Sequence, residues 1–126
     1  MVNVLQIQKE VVDEFCKRFL SEFMDVLIMV KMKESGTSGY DIIKCFHEKF
    51  DFLVSPGTVY SVLYTMERNG LVRANVTERK RIYSLTAKGE AKIRSISESS
   101  EILEKFFSNF LENSKLTRTE VVDIPV

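Results

Sequence analysis

The segment from Ser55 to Leu71 restricts the fold most, because it carries both the start and the stop of one helix. Ser55 followed by Pro56 is a typical N-cap with proline at the first helical position, where the missing N–H costs no hydrogen bond. Gly70 followed by Leu71 predicts a Schellman-type helix end. We therefore expect a helix over about 56–69, with separate elements before and after it.

The predicted helix has one apolar and one polar face. The spacing of a buried stripe, i, i+3, i+4, i+7, is met by Val59, Val62, Leu63 and Met66. The other face has no acidic residue, whereas solvated helices usually carry Glu and Lys; it comprises Thr58, Tyr60, Ser61, Tyr64, Thr65 and Arg68. Such a face suits hydrogen bonding to base edges and phosphates in a nucleic-acid groove.

After Gly70 the apolar period changes from that of a helix to two. Two short strands of a hairpin are predicted around Val72–Val76 and Arg81–Leu85, joined through residues 77–80. Residues 68–94 hold eight basic and two acidic side chains, although the formal net charge of the chain is zero. A local positive block indicates a polyanion site, and the alternative is a solvated basic surface balanced by acidic neighbours.

The upstream region predicts three helices. Residues 4–33 lack Gly and Pro and keep apolar steps of three and four, so we expect helices over about 4–19 and 22–34, the second capped by Ser21. Gly36 is expected to end the second helix in the left-handed conformation. Thr37 or Ser38 is then expected to cap a third helix over about 39–50.

The downstream region predicts one long helix that is capped by Thr86 and continues to about residue 112, with a polar interruption over residues 95–100. Its large apolar side chains would cost on the order of 1.5–3 kcal/mol each if left in water. We therefore expect a twofold dimer whose interface is formed by this helix and helix 4–19. The predicted dimer contacts are Phe15, Phe19, Ile96, Leu103, Phe106, Phe107 and Phe110. The phenylalanines of this set, together with Phe23, could instead line a ligand cavity.

Three helices followed by a basic hairpin form the plan of a winged helix-turn-helix protein, mainly α with a small two-stranded β wing. We expect an N-terminal dimer helix over 1–20, the DNA-binding domain over 21–86, a dimerisation helix over 87–113 and a flexible tail over 114–126. The recognition helix, about 56–69, would enter the major groove of double-stranded DNA, and the wing, about 71–86, would meet the backbone. The predicted DNA contacts are Lys44, Ser55, Gly57, Thr58, Tyr60, Ser61, Tyr64, Thr65, Arg68, Arg79, Lys80 and Arg81.

The same residues resemble a known family. The run Ser55-Pro56-Gly57-Thr58-Val59-Tyr60, the upstream Gly39-Tyr40-Asp41-Ile42 and the downstream Arg81 to Leu85 with Thr86 and Gly89 are similar to the PadR-type transcriptional regulators. The resemblance covers about residues 22–90. It implies a homodimeric DNA-binding regulator, usually a repressor, whose C-terminal and N-terminal helices form the dimer. Some members bind small aromatic effectors at that interface; any effector here is unidentified, and the chain has no Trp for stacking a ligand.

Other chemistries find little support in the sequence. Cys45 and His47 are close in sequence, but Cys16 is the only other thiol and His47 the only histidine, so no metal site is expected. No phosphate loop, carboxylate pair or activated nucleophile is evident, and we expect neither an enzyme nor a bound cofactor. With no signal peptide, no membrane-length apolar run and only two thiols, a cytoplasmic protein is expected.

A second function remains open at this point. A winged domain that had lost DNA binding could serve as a protein-interaction module, with its long aromatic helices contacting a partner. The zero net charge favours that reading, whereas the Ser-Pro-Gly-Thr-Val-Tyr run and the basic hairpin favour DNA.

Overall fold

The computed structural model describes residues 3–112, so the tail expected over 114–126 lies outside the described residues. The order of elements is α1 (Val4–Glu22), α2 (Met24–Met32), α3 (Gly39–Phe50), α4 (Pro56–Arg68), β1 (Val72–Thr77), β2 (Lys80–Leu85), α5 (Ala87–Glu98) and α6 (Ser100–Glu112). The fold is the predicted one, mainly α with a two-stranded antiparallel sheet. The chain divides into two compact units, one ending at Glu90 and the other beginning at Ala91.

Helix starts follow the predicted caps. The side chain of Ser38 accepts a hydrogen bond from the Asp41 amide at 3.1 Å, and Ser55 accepts one from the Thr58 amide at 3.2 Å. The Thr86 hydroxyl accepts one from the Gly89 amide at 3.1 Å. Each cap pairs an amide that has no partner within its own helix, which fixes where the helix begins.

The end of α4 is the predicted Schellman motif. The Leu71 amide donates to the Met66 carbonyl at 2.9 Å, and the Gly70 amide donates to the Glu67 carbonyl at 3.0 Å. Gly70 has φ of +74°, a conformation that costs glycine little and other residues more. The chain therefore turns sharply from α4 into β1.

Two expected boundaries are wrong. Ser21 lies inside α1, and the backbone hydrogen bonds continue across the junction, from the Phe23 amide to the Phe19 carbonyl at 2.9 Å. Gly36 is not left-handed; a Cβ there would lie 2.8 Å from Cγ2 of Ile82. Gly36 is thus needed for close packing against the hairpin, which local sequence cannot indicate.

The single C-terminal helix is also wrong. Two helices, α5 and α6, are separated at Ser99, whose amide bonds to the carbonyls of both Ser95 and Ile96, at 3.1 Å each. The interruption falls within the polar run predicted over 95–100. Serine side chains compete for backbone hydrogen bonds, so a serine-rich turn is a weak point in a helix.

The core of the first unit is built from α2, α3, α4 and the hairpin. Its completely buried side chains include Ile28, Met29, Ile42, Val59, Leu63 and Val72. Backbone pairing between Thr37 and Tyr83, at 2.8 and 2.9 Å, attaches the turn before α3 to β2. The wing is therefore joined at its base both to α4 and to the segment that begins α3. Over the described part of the chain, no helix has the length and hydropathy of a bilayer crossing.

Candidate nucleic-acid interface

The polar face of α4 is open to solvent. All six of its side chains are exposed, including Tyr60 at 47% and Tyr64 at 61%. The opposite stripe is covered, with Val59, Leu63 and Met66 buried and Val62 half-buried. One face of the helix thus packs in the core, and the other, which has no acidic residue, is accessible to a binding partner.

Two hydroxyls on this face are already oriented within the helix. The Oγ atoms of Ser55 and Thr58 lie 2.8 Å apart, and the Thr65 hydroxyl donates to the Ser61 carbonyl at 3.0 Å. Because the Thr65 hydroxyl already donates its proton to the Ser61 carbonyl, its oxygen can only accept further hydrogen bonds. In a major groove the donors available to it are adenine N6 and cytosine N4.

The first turn of α4 is bare around Gly57. A Cβ built at Gly57 would meet nothing within 4 Å, and its φ is not positive. Nothing in the fold of the first unit therefore requires glycine at this position. Alanine would even stabilise the helix, because glycine weakens a helix relative to alanine. A missing side chain at a helix N-terminus leaves the amide groups open to close approach by an anion.

Tyr60 and Tyr64 are each held by a neighbour. A Cβ at Gly39 would lie 2.5 Å from Cε1 of Tyr60, so the ring rests directly on the first turn of α3. The guanidinium of Arg68 lies 5.8 Å from the centre of the Tyr64 ring, a cation–π contact. The sequence predicts these tyrosines at the groove but does not show that Gly39 contacts Tyr60, because residues 39 and 60 meet only in the folded chain.

The three consecutive cations at the outer end of the wing point in different directions. Glu78 and Arg79 form the turn, with φ of +49° and +65°, and Lys80 pairs with Thr77 while Arg81 pairs with Val76. Neighbouring residues of a strand project to opposite faces, so Lys80 and Arg81 diverge. Arg79 and Lys80 have no ion pair or side-chain hydrogen bond to another residue within 3–112.

Arg81 is engaged within the protein. Its Nη2 lies 3.2 Å from Oε1 and 3.3 Å from Oε2 of Glu67, and its Nε donates to the Tyr83 hydroxyl at 3.0 Å. The hydrogen bond to Tyr83, and then the carboxylate of Glu67, raise the pKa of the Arg81 guanidinium above its ordinary value. Like arginine generally, the group is charged at any working pH.

Two other lysines of the predicted surface also have partners. Lys44 lies 3.9 Å from Glu48 one turn along α3, a solvated pair of little energetic consequence. Lys88, part of the basic block, donates to the Asn69 carbonyl at 2.8 Å and so caps the end of α4. Part of the positive block thus serves the fold.

The predicted dimer contacts lie on largely solvent-exposed apolar surfaces. Phe15 and Phe19 of α1 are 49% and 54% exposed, and Phe106 and Phe110 of α6 are 41% and 48% exposed. Leu103 and Phe107 are exposed as well, whereas Ile96 is half-buried. Within α6 no side chain is buried, and the rings of Phe106 and Phe110 stack with centroids 6.3 Å apart.

The described thiols and carboxylates do not cluster as metal ligands. Cys16 is exposed and Cys45 half-buried, and both are free thiols. In the portion from residue 3 to residue 112, no three side chains of His, Cys, Asp or Glu come close enough to hold a metal ion.

Comparison with known proteins matches the same region. The family model described as the transcriptional regulator PadR-like family matches residues 27–95. No curated protein matches the chain.

Solved structures share the fold. A PadR family transcription regulator from Clostridium difficile is 24% identical with a TM-score of 0.64, covering 71% of this chain and 98% of its own. A transcriptional regulator from Clostridium thermocellum is 24% identical with a TM-score of 0.64, covering 74% and 97%. Bacillus subtilis PadR in complex with operator DNA is 21% identical with a TM-score of 0.54, covering 58% and 46%.

Proposed function

The chain belongs to the transcriptional regulator PadR-like family, and on that premise we propose that it is a sequence-specific regulator that binds double-stranded DNA as a homodimer. We further propose that it acts as a repressor in the cytoplasm. In this proposal α4 enters the major groove, and the wing formed by β1 and β2 lies on the sugar-phosphate backbone.

The observation that carries the proposal is the character of α4. Its exposed face offers hydroxyls, phenols and a guanidinium with no carboxylate, and its first turn is bare at Gly57. A folding requirement accounts for neither feature, because apart from the contact of the Tyr60 ring with α3 this face is open to solvent, and a side chain at residue 57 would fit. Contact with a polyanion accounts for both.

The phosphate contacts follow from the electrostatics of each element. The N-terminus of α4 carries the positive end of the helix dipole, so the amides near Ser55 and Gly57 suit one phosphate group. Arg68 at the other end of α4 and the wing residues Arg79 and Lys80 suit others. The base-reading positions would be Thr58, Tyr60, Ser61, Tyr64 and Thr65.

The homodimer is supported by α6. An isolated helix of 13 residues is marginal in water, and this one exposes Leu103, Phe106 and Phe110. A second copy that buried these side chains would stabilise the helix. Two copies also double the number of DNA contacts, which supports binding to a paired site.

The test is a binding titration against DNA from upstream of the protein's own gene, with a scrambled duplex of equal length as reference. We expect preference for the upstream duplex. Ser61→Ala should erode that preference without weakening the fold, because the exposed hydroxyl is removed from a helix that tolerates alanine.

The matched control is Ser97→Ala, which removes an exposed helical serine outside the winged domain. It should leave the preference unchanged. Failure of the parent protein to bind either duplex would refute the proposal and favour the protein-interaction module.

A further inference from the structure

Arg81 differs from the other wing cations, because its guanidinium is held on two sides. Glu67 lies against Nη2 with both carboxylate oxygens, and the Tyr83 hydroxyl accepts from Nε. The guanidinium also lies 5.5 Å from the centre of the Tyr83 ring. The Nε and Nη2 groups of Arg81 and its position are thus committed to contacts within the protein, whereas Arg79 and Lys80 have no such partners among residues 3–112.

The contact joins two elements that are proposed to touch DNA. Glu67 lies in the last turn of α4, and Arg81 lies in the outer half of the wing, opposite Val76. The base of the wing is anchored by buried Val72 and Leu85, but the outer half is exposed on both strands. Since an isolated two-stranded hairpin is marginally stable, its outer half needs a tether to keep a fixed direction.

The second partner extends the tether to the rest of the domain. Tyr83 is buried, and its backbone pairs with Thr37 through hydrogen bonds of 2.8 and 2.9 Å. Glu67, Arg81, Tyr83 and Thr37 thus form a continuous connection from the recognition helix through the wing to the start of α3. Such a connection sets the angle between helix and wing before DNA arrives.

We propose that the Glu67–Arg81 pair is a positioning device that holds the wing at the angle required when α4 is seated in the groove, and that Arg81 is not a phosphate ligand. This inference rests on the proposed function. Binding that uses two elements at once is tighter when their relative position is set beforehand, since less freedom is lost on association.

Glu67 provides a test, because the two possible roles of its carboxylate predict opposite changes in DNA affinity when it is replaced by glutamine. A carboxylate beside a DNA-binding surface repels phosphate, so a purely electrostatic role predicts that Glu67→Gln tightens binding. A positioning role predicts the opposite, because the glutamine no longer holds the guanidinium by charge and the wing loses its direction.

The experiment measures the affinity of the full chain for the upstream duplex at several salt concentrations. We expect Arg81→Gln and Glu67→Gln each to weaken binding of the dimer by about fivefold, the effect of losing an ion pair worth about 0.5 kcal/mol in each of its two copies. Neither should change the slope of log affinity against log salt. The double variant should bind no more weakly than the weaker single variant, since both remove one contact.

Arg79→Gln is the matched control, because it removes a wing cation without an ion-pair partner. In a dimer it should lower the salt slope by about 1.8, which is 0.9 for each of two phosphate contacts. The inference is overturned if Arg81→Gln lowers the slope in the same way, or if Glu67→Gln leaves binding unchanged or tighter. If the parent protein binds no DNA, the proposed function itself fails, which is a distinct outcome.

Discussion

Gly57 and Gly39 both lie in the first turn of a helix, yet a methyl group at each meets a different environment. At Gly57 it would enter open space, so Gly57→Ala should leave the free energy of unfolding unchanged or raise it by up to about 1 kcal/mol. DNA affinity should fall, because the methyl group would occupy the space through which a DNA phosphate approaches the amides at the start of α4. Thermal unfolding and duplex titration measure the two effects, and unchanged affinity would contradict a phosphate site there.

Gly39→Ala is the comparison at the same scale. Its methyl group would meet the Tyr60 ring at 2.5 Å, so the ring must move, which the end of a side chain can do. We expect a modest loss of stability together with weaker preference for the upstream duplex, since a displaced Tyr60 no longer presents its hydroxyl at the same position. Full preference with an altered tyrosine environment would mean that Tyr60 does not read bases.

The wing is the element whose charge and shape can be separated by mutation. Replacing Arg79, Lys80 and Arg81 by Ala in a dimer should remove about four phosphate contacts and flatten the salt slope by about 3.6. Because Arg81 is held by Glu67, the double variant Arg79→Ala/Lys80→Ala should flatten the slope as much. Sequence preference should largely survive, since phosphate contacts position the protein and do not specify bases. An unchanged slope would show that the basic block does not contact phosphate and is only a solvated surface.

The turn of the wing has a conformation that its residues do not favour. Glu78 and Arg79 both have positive φ, as in the type I′ turns that prefer Asn-Gly. Glu78→Asn should therefore raise the free energy of unfolding by about 0.5 kcal/mol, because asparagine tolerates the left-handed conformation better than glutamate does. Denaturant unfolding measures the change, and a lower stability would contradict the expected strain at residue 78.

At the scale of the whole molecule, the exposed apolar faces of α1 and α6 predict assembly. Phe110→Asp should dissociate the dimer, because a charged side chain would have to be buried at the contact. Sedimentation at micromolar concentration should then change from a dimer to a 14.6 kDa species. Ser108→Asp, an exposed position on the same helix, should leave the dimer intact. A parent protein that sediments only as the 14.6 kDa species would refute the dimer.

Predictions from the sequence were accurate where the cause was local. The caps at Ser38, Ser55 and Thr86 and the helix end at Gly70 depend on hydrogen bonds that span no more than five residues, and all are present. The alternation after Gly70 likewise predicted the hairpin. Ser21 and the uninterrupted C-terminal helix were wrong, because a capping residue can be absorbed by a helix and an apolar stripe can continue across a break in hydrogen bonding.

The sequence by itself determined the order of elements as far as the start of α5, the buried stripe of α4 and the position of the basic block, because side-chain period and backbone capping act over one or two turns. Only the tertiary structure decided which partners the basic side chains contact within the protein. Arg81 reaches Glu67 across 14 residues, Lys88 reaches Asn69 across 19, and Gly39 receives the ring of Tyr60. Such pairs arise only when packed helices and the hairpin bring distant residues together, and no local propensity records which distant residue will lie opposite.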